Sequence, residues 1–425
     1  MPLCAQRGFR LLASTLIIAA FANLAFSCSV LSHEAVIDAL WDVKLQPLLL
    51  ARFPNSTPSD MKRAHGYAYG GSIIQDLGYY PHGAKEFSDL THYVRTGEFV
   101  EALISESHTM DELAFALGAL SHYISDIDVH RLATNPGEAM LYPKLRRKFG
   151  SVVTYEDDPA AHLKTEFGFD VLEVAKGRFA PEAYHDFIGF YVAQALLDRA
   201  FHDTYGLELA DVFQNFDRTI GSYRRAVSKT IPKATRIAWA QRQDQIQKSE
   251  PGMTRARFVY VMRRSSYEQE WGKQYDRPSA GERLLAILLK LVPPVGPLRA
   301  LQFRMPTPPV EELFMESFDH AVAQCNAQLD NVNTRKLHLD DVNYDLGTPA
   351  APGTYRLEDD AYAFWLGKLA DKHFQTATPQ IRQVLLGYFK DPNASSPTRK
   401  DTKQWKRLES ELSTLQVSSG AAGAL

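Results

Sequence analysis

A chain of 425 residues, 45% hydrophobic and 23% charged, has ample apolar material for a core, which excludes a disordered or fibrous state. Its 47 basic and 50 acidic residues leave a formal charge of −3, so no global positive field favours nucleic acid, and chemistry on phosphate must rest on local charge. Three cysteines, Cys4, Cys28 and Cys325, exclude a disulfide framework and a thiolate zinc cluster.

In chain order, the first element is an export signal over residues 1–27. Arg7 and Arg10 precede an apolar stretch from Leu11 to Phe26, and Ala25-Phe26-Ser27 offers small residues where a signal peptidase cuts, before Cys28. The stretch is short for a membrane span, which takes about 20 residues. A lipid anchor at Cys28 is the alternative, and the bulky Phe26 fits it poorly. From there the periodicity is helical: Val36-Ile37-Leu40-Trp41 with Leu45, Leu113-Ala114-Leu117-Leu120, and Phe187-Ile188-Tyr191-Val192-Ala195-Leu196 recur with amphipathic spacing. Ser59 or Asp60, Thr109, Pro159 and Pro181 mark helix openings. Between Gly66 and Leu90, five glycines and Pro81 are read as a long loop serving a site, with Tyr67, Tyr69, Tyr79 and Tyr80 lining a cation-accepting mouth or packing in the core.

The expected architecture is all-α: a multi-helix bundle over 28–245, a helical extension over 246–392, and a mostly flexible tail over 393–425 with a short helix near Trp405–Leu415. Within the extension, Leu284–Leu301 is very apolar but broken by Pro293, Pro294 and Pro297. It reads as a buried helical corner, with a membrane-surface contact as the alternative.

Ten of the thirteen histidines lie before residue 203, and the chemistry is expected there. His122, Asp126 and His130 advance about 40° per step of four and rise about 6 Å each time, so they share one helix face. The outer two, about 12 Å apart, cannot grip one ion, but Asp126 can bridge two. Leu113, Leu117 and Leu120 lead into this ladder and turn it inward. His162 and Glu166, after Pro159, repeat the spacing and can chelate together. Three further candidates stand alone. His33 also suits a helix cap, Asp76 an Asx turn, and His92 the part of a satisfied, half-buried histidine.

In this order the residues resemble the zinc-dependent phospholipase C family, whose helical fold is shared with zinc nucleases. The resemblance covers roughly residues 30–200. It implies three zinc ions: Asp76, His92, His122 and Asp126 around one; His130, His162 and Glu166 around a second; His33 and Asp126 around a third. It also gives Asp76 the role of general base. The family's bacterial phospholipases begin with a Trp, and the nearest here is Trp41. The step from Asp126 to His130 is shorter than theirs, which admits Asp128 as a ligand if the helix unwinds.

The resulting expectation is an exported zinc phosphodiester hydrolase acting on a phospholipid head group, with a peripheral membrane contact and no nucleic-acid partner. A zinc nuclease or other phosphoesterase, and a non-enzymatic helical envelope protein, are the alternatives.

Overall fold

The computed structural model describes residues 30–80, 82–175, 191–225, isolated positions between 239 and 255, 303–390 and 402–422. The signal sequence with Cys28, the apolar stretch 284–301 and the opening at Pro181 lie outside the described residues. The principal helices are α1 (Val30–Leu40), α2 (Gln46–Arg52), α3 (Pro58–Gly71), α4 (Lys85–Tyr93), α5 (Thr96–Ser105), α6 (Met110–Val129), α7 (Asn135–Leu141), α8 (Pro159–Ala175), α9 (Gln194–Tyr205), α10 (Phe216–Arg225), α11 (Pro308–Thr334), α12 (Arg356–Asp371), α13 (Pro379–Lys390) and α14 (Thr402–Ala422). Among the described residues the only strands are the antiparallel pair β1 (Val342–Asn343) and β2 (Thr348–Pro349). The fold is all-α, as the periodicity implied, and none of the described helices is long and apolar enough to cross a membrane.

Helix α6 is the axis of the molecule. Its capping box is complete, Thr109 and Glu112 each bonding the other's backbone N–H. Nearly the whole helix is buried, because α3 packs along one side and α11 along another. Contact with α3 depends on two glycines. A Cβ on Gly118 would lie 2.1 Å from the Ala68 carbonyl oxygen, and one on Gly71 would lie 1.9 Å from that of Phe115. Both carbonyls are backbone, so neither can step aside. Gly118→Ala is therefore expected to cost about 2–3 kcal/mol by overpacking, read as a lower urea midpoint at unchanged slope.

That packing corrects the reading of 66–90 as one long loop. Gly66, Gly70 and Gly71 belong to α3, a 3₁₀ turn spans Ile74–Tyr79, and α4 follows. Gly71 serves close approach to α6, and Gly70 close approach to the Tyr191 backbone, instead of chain flexibility. α3 is capped by Thr57 with Pro58 in its first turn, two residues before the expected Ser59. The helical pattern over 187–196 is interrupted where it is described: residues 191–193 are irregular, Tyr191 N donates to Gly66 O, and α9 starts at Gln194.

The C-terminal half packs directly on the histidine-bearing helices. α11 lies against α6, and α12 against α4. Trp365, fully buried, donates its indole N–H to Tyr205 O at 2.7 Å. α14 is longer than the short helix expected in the tail and buries Leu408 and Leu415, packing on α12 and α13.

In this layer Glu358 is buried, accepting from Asn343 Nδ2 at 3.1 Å and Ala351 N at 2.9 Å. Burial, outweighing these bonds, pushes its carboxyl up to about 7. An acid with a raised folded pKa stabilises fully below its unfolded value, near 4.5, and loses that contribution as pH rises through the folded one. Stability is therefore expected to fall by ~3 kcal/mol between about pH 4.5 and 7. Urea midpoints measured across that window should flatten in Glu358→Gln.

Candidate metal centre

The site forms where α1, the 3₁₀ turn, α4, α6 and α8 converge. On α6, His122 and Asp126 are one turn apart. The helix then widens into a turn over His130–Thr134, where Asn135 N bonds back to His130 O. Such turns recur at functional sites. His130 Nε2 comes 3.3 Å from Asp126 Oδ1. Asp126 is the hub of the cluster: Oδ1 is also 3.6 Å from His33 Nε2, and Oδ2 is 3.5 Å from His92 Nε2 and 3.9 Å from His122 Nε2.

Each neighbouring element is held in place by hydrogen bonds. Asp170 on α8 accepts from Ser32 N at 3.2 Å and Ser32 Oγ at 2.7 Å, which fixes the first turn of α1 beside His33. The Ser88 hydroxyl of α4 accepts from Gly78 N at 2.9 Å and donates to Gln75 O, tying the 3₁₀ turn to α4. This sets Asp76 Oδ1 3.3 Å from His92 Nε2. On α8, Glu166 Oε1 lies 2.9 Å from His130 Nε2 and 3.3 Å from His162 Nε2.

All eight residues singled out from the sequence thus meet in one pocket region. Their ligand-type atoms form three sets, each within 4.8 Å of one another: Asp76, His92 and His122; His33, His122 and Asp126; His130, His162 and Glu166. Asp128 is not among them. Helix α6 does not unwind there, and Asp128 Oδ2 instead takes a 2.7 Å bond with His320 Nδ1 of α11. Of the four loop tyrosines only Tyr79 lines the pocket, with Tyr93 and Tyr155. Tyr67 stacks on Tyr191, Tyr69 binds Asp38, and Tyr80 packs on Tyr223.

These residues fit a divalent cation. Ser125 Oγ, Ser88 O and Ser72 O hold the Nδ1 atoms of His33, His92 and His122 at 2.9, 2.7 and 2.9 Å. A carbonyl can only accept a hydrogen bond, so Nδ1 carries the proton, and for His92 and His122 the Nε2 lone pair is left facing the cluster, the arrangement a metal ligand requires. His33 Nε2, His122 Nε2 and Asp126 Oδ2 are buried with no hydrogen-bond partner among the described residues, which is costly unless something else satisfies them.

Electrostatics agree. Four carboxylates, Asp76, Asp126, Glu166 and Asp345, line the pocket, and among the described residues no lysine or arginine does. Burial together with the neighbouring His33 imidazole depresses His122 to about 4, keeping it neutral. Burial also opposes a charge on His130, but Asp126, Glu166 and Asp345 outweigh it and raise the ring to about 10. The carboxylates thus call for positive charge at the site. Imidazole and carboxylate together are a zinc donor set.

Three residues around the pocket escaped the sequence reading. Asp170 acts through backbone it anchors. Glu138, one turn into α7, is fully buried, with burial and then Asp158 and Asp345 pushing its carboxyl up to about 10. Asp345, in the turn between β1 and β2, enters from the C-terminal half. Asp170 continues the step of four from His162 and Glu166 along α8, but its partner Ser32 lies far along the chain, as does that of Asp345, and Glu138 has no ligand candidate one helical turn away.

An all-α fold around a buried cluster of five imidazoles and three carboxylates defines a candidate metal-binding protein with three sets of ligand-type atoms. Residues 32–215 match the sequence model of the zinc dependent phospholipase C family, and the matched segment contains all eight ligand candidates. Comparison with curated proteins and with solved structures found no match.

Proposed function

We propose that the protein is an exported phosphodiester hydrolase that uses up to three zinc ions to cleave phospholipid head groups in the manner of a phospholipase C. The observation that carries this reading is the meeting of eight ligand-type side chains in one cluster with Asp126 at its hub. Zinc, when bound, supplies charge neutralisation at the phosphodiester oxygens and acidifies water.

The chain's own groups do the rest. The bond from His92 and the nearby His122 and His33 imidazoles outweigh burial and hold Asp76 well below the usual carboxylate range. It stays ionised at neutral pH and accepts the proton of the attacking water as general base. Tyr79, Tyr93 and Tyr155 wall the pocket with rings and limit bulk water. The cavity measures about 30 Å³, room for a water and not for a head group, so the phosphodiester approaches at the rim while the lipid remains outside.

Hydrolysis of phosphatidylcholine against single-stranded DNA, with zinc counted per dialysed chain, tests the reading. Release of phosphocholine by a zinc-loaded chain is the expected result. Cleavage of DNA alone would reassign the substrate, and a chain without zinc would remove the enzyme.

A further inference from the structure

The five imidazoles of the cluster are not supported alike. His33, His92 and His122 rest their Nδ1 atoms on a hydroxyl and two carbonyls. His130 and His162 have no such neutral partner among the described residues: their Nδ1 atoms are buried without a hydrogen bond. Each faces a carboxylate oxygen that is buried and also without a hydrogen-bond partner. His130 Nδ1 lies 3.6 Å from Asp345 Oδ1, and His162 Nδ1 lies 3.7 Å from Glu138 Oε2. A donor and an acceptor left over opposite each other, twice, in one wall of one pocket, satisfy each other after a shift of about half an ångström.

The Asp345 carboxylate is firmly seated. Asp345 Oδ2 accepts from Tyr155 N at 2.9 Å and Tyr355 Oη at 2.7 Å, while its carbonyl accepts from Asn135 Nδ2 at 2.8 Å. Those bonds clip the β1–β2 turn to the start of α7, and α7 itself carries Glu138. Resting on the zinc reading above, we propose that Glu138 and Asp345 are positioning residues: their carboxyl oxygens accept from the Nδ1–H of His162 and His130, orient these rings and raise the basicity of the nitrogens they turn toward Glu166. The pair makes the His130–His162–Glu166 set a carboxylate-backed ion site. It also makes the C-terminal half, which lies outside the matched segment 32–215, a contributor to the metal centre.

Outer carboxylates of this kind change metal affinity by about 10–100-fold. Glu138→Gln and Asp345→Asn keep the shape and one acceptor oxygen but exchange the other carboxyl oxygen facing the ring for an amide NH2. In chelator competition each variant is expected to hold one zinc ion about 10–100-fold more weakly than the wild-type chain, with the remaining zinc unaffected. The thermal midpoint of the metal-free protein should stay at the wild-type value, which a merely structural role would lower. Zinc titrations of both variants that superimpose on the wild-type curve would overturn the proposal, as would weaker binding accompanied by an equal loss of metal-free stability in both. A wild-type chain that binds no zinc would instead remove the underlying functional reading.

Discussion

Asp126→Asn is expected to release at least one zinc ion per chain and to reduce phospholipid hydrolysis by about 10³-fold or more. The substitution preserves volume and one carbonyl oxygen, so helix α6 keeps its packing. What it removes is the single negative charge whose two oxygens lie between 3.3 and 3.9 Å from four imidazoles. Asp126 also joins the set around His130 to the sets around His33 and His92. On the proposed zinc reading, losing it would separate ions whose joint action would stabilise the transition state by several kcal/mol, and ~4 kcal/mol corresponds to about three decades in rate. Metal analysis and a phosphatidylcholine assay on the same preparation check this. A variant with the full complement of zinc and activity within about tenfold of wild type would show that Asp126 is no bridge.

Removal of zinc by a strong chelator should lower the thermal midpoint by about 10 °C, with recovery on adding zinc but not calcium. Ligand present at about 1,000 times its dissociation constant stabilises by about 4 kcal/mol, and each kcal/mol moves the midpoint by roughly 2–4 °C in a domain of about 150–250 residues. The structural reason is the unbalanced pocket: carboxylates converge with no lysine or arginine lining it among the described residues, and buried His33 Nε2, His122 Nε2 and Asp126 Oδ2 have no hydrogen-bond partner there. Calcium prefers oxygen ligands in a larger shell and gains little from five imidazoles. Scanning calorimetry with and without chelator gives the answer, and coincident melting curves would mean that the cluster is satisfied without an ion.

The amphipathic helices, the all-α class and the eight ligand candidates were legible in the chain itself. Spacing of four along a helix fixes a shared face whatever packs against it, which is why His122, Asp126 and His130, and likewise His162 and Glu166, could be grouped from covalent order. The resemblance to an ordered family pattern added His33, Asp76 and His92, whose immediate neighbours in the chain suit a helix cap, a turn and a core histidine equally well. The glycines of α3 show a limit of such reading. Glycine serves both flexible loops and close helix contacts, and only the crossing of α3 on α6, which sets Phe115 against Gly71 and Ala68 against Gly118, tells which use applies.

Sequence by itself grouped His122, Asp126 and His130, and His162 with Glu166, because helical geometry is local and repeats every few residues. Tertiary structure alone decided what stands behind them. Asp345 reaches His130 from 215 positions away, Asp170 holds Ser32 from 138 positions away, and Asp128 turns out to His320 on α11. Contacts over such separations depend on how whole helices cross, and that is set by the summed packing of many apolar side chains, which no short stretch of the chain encodes.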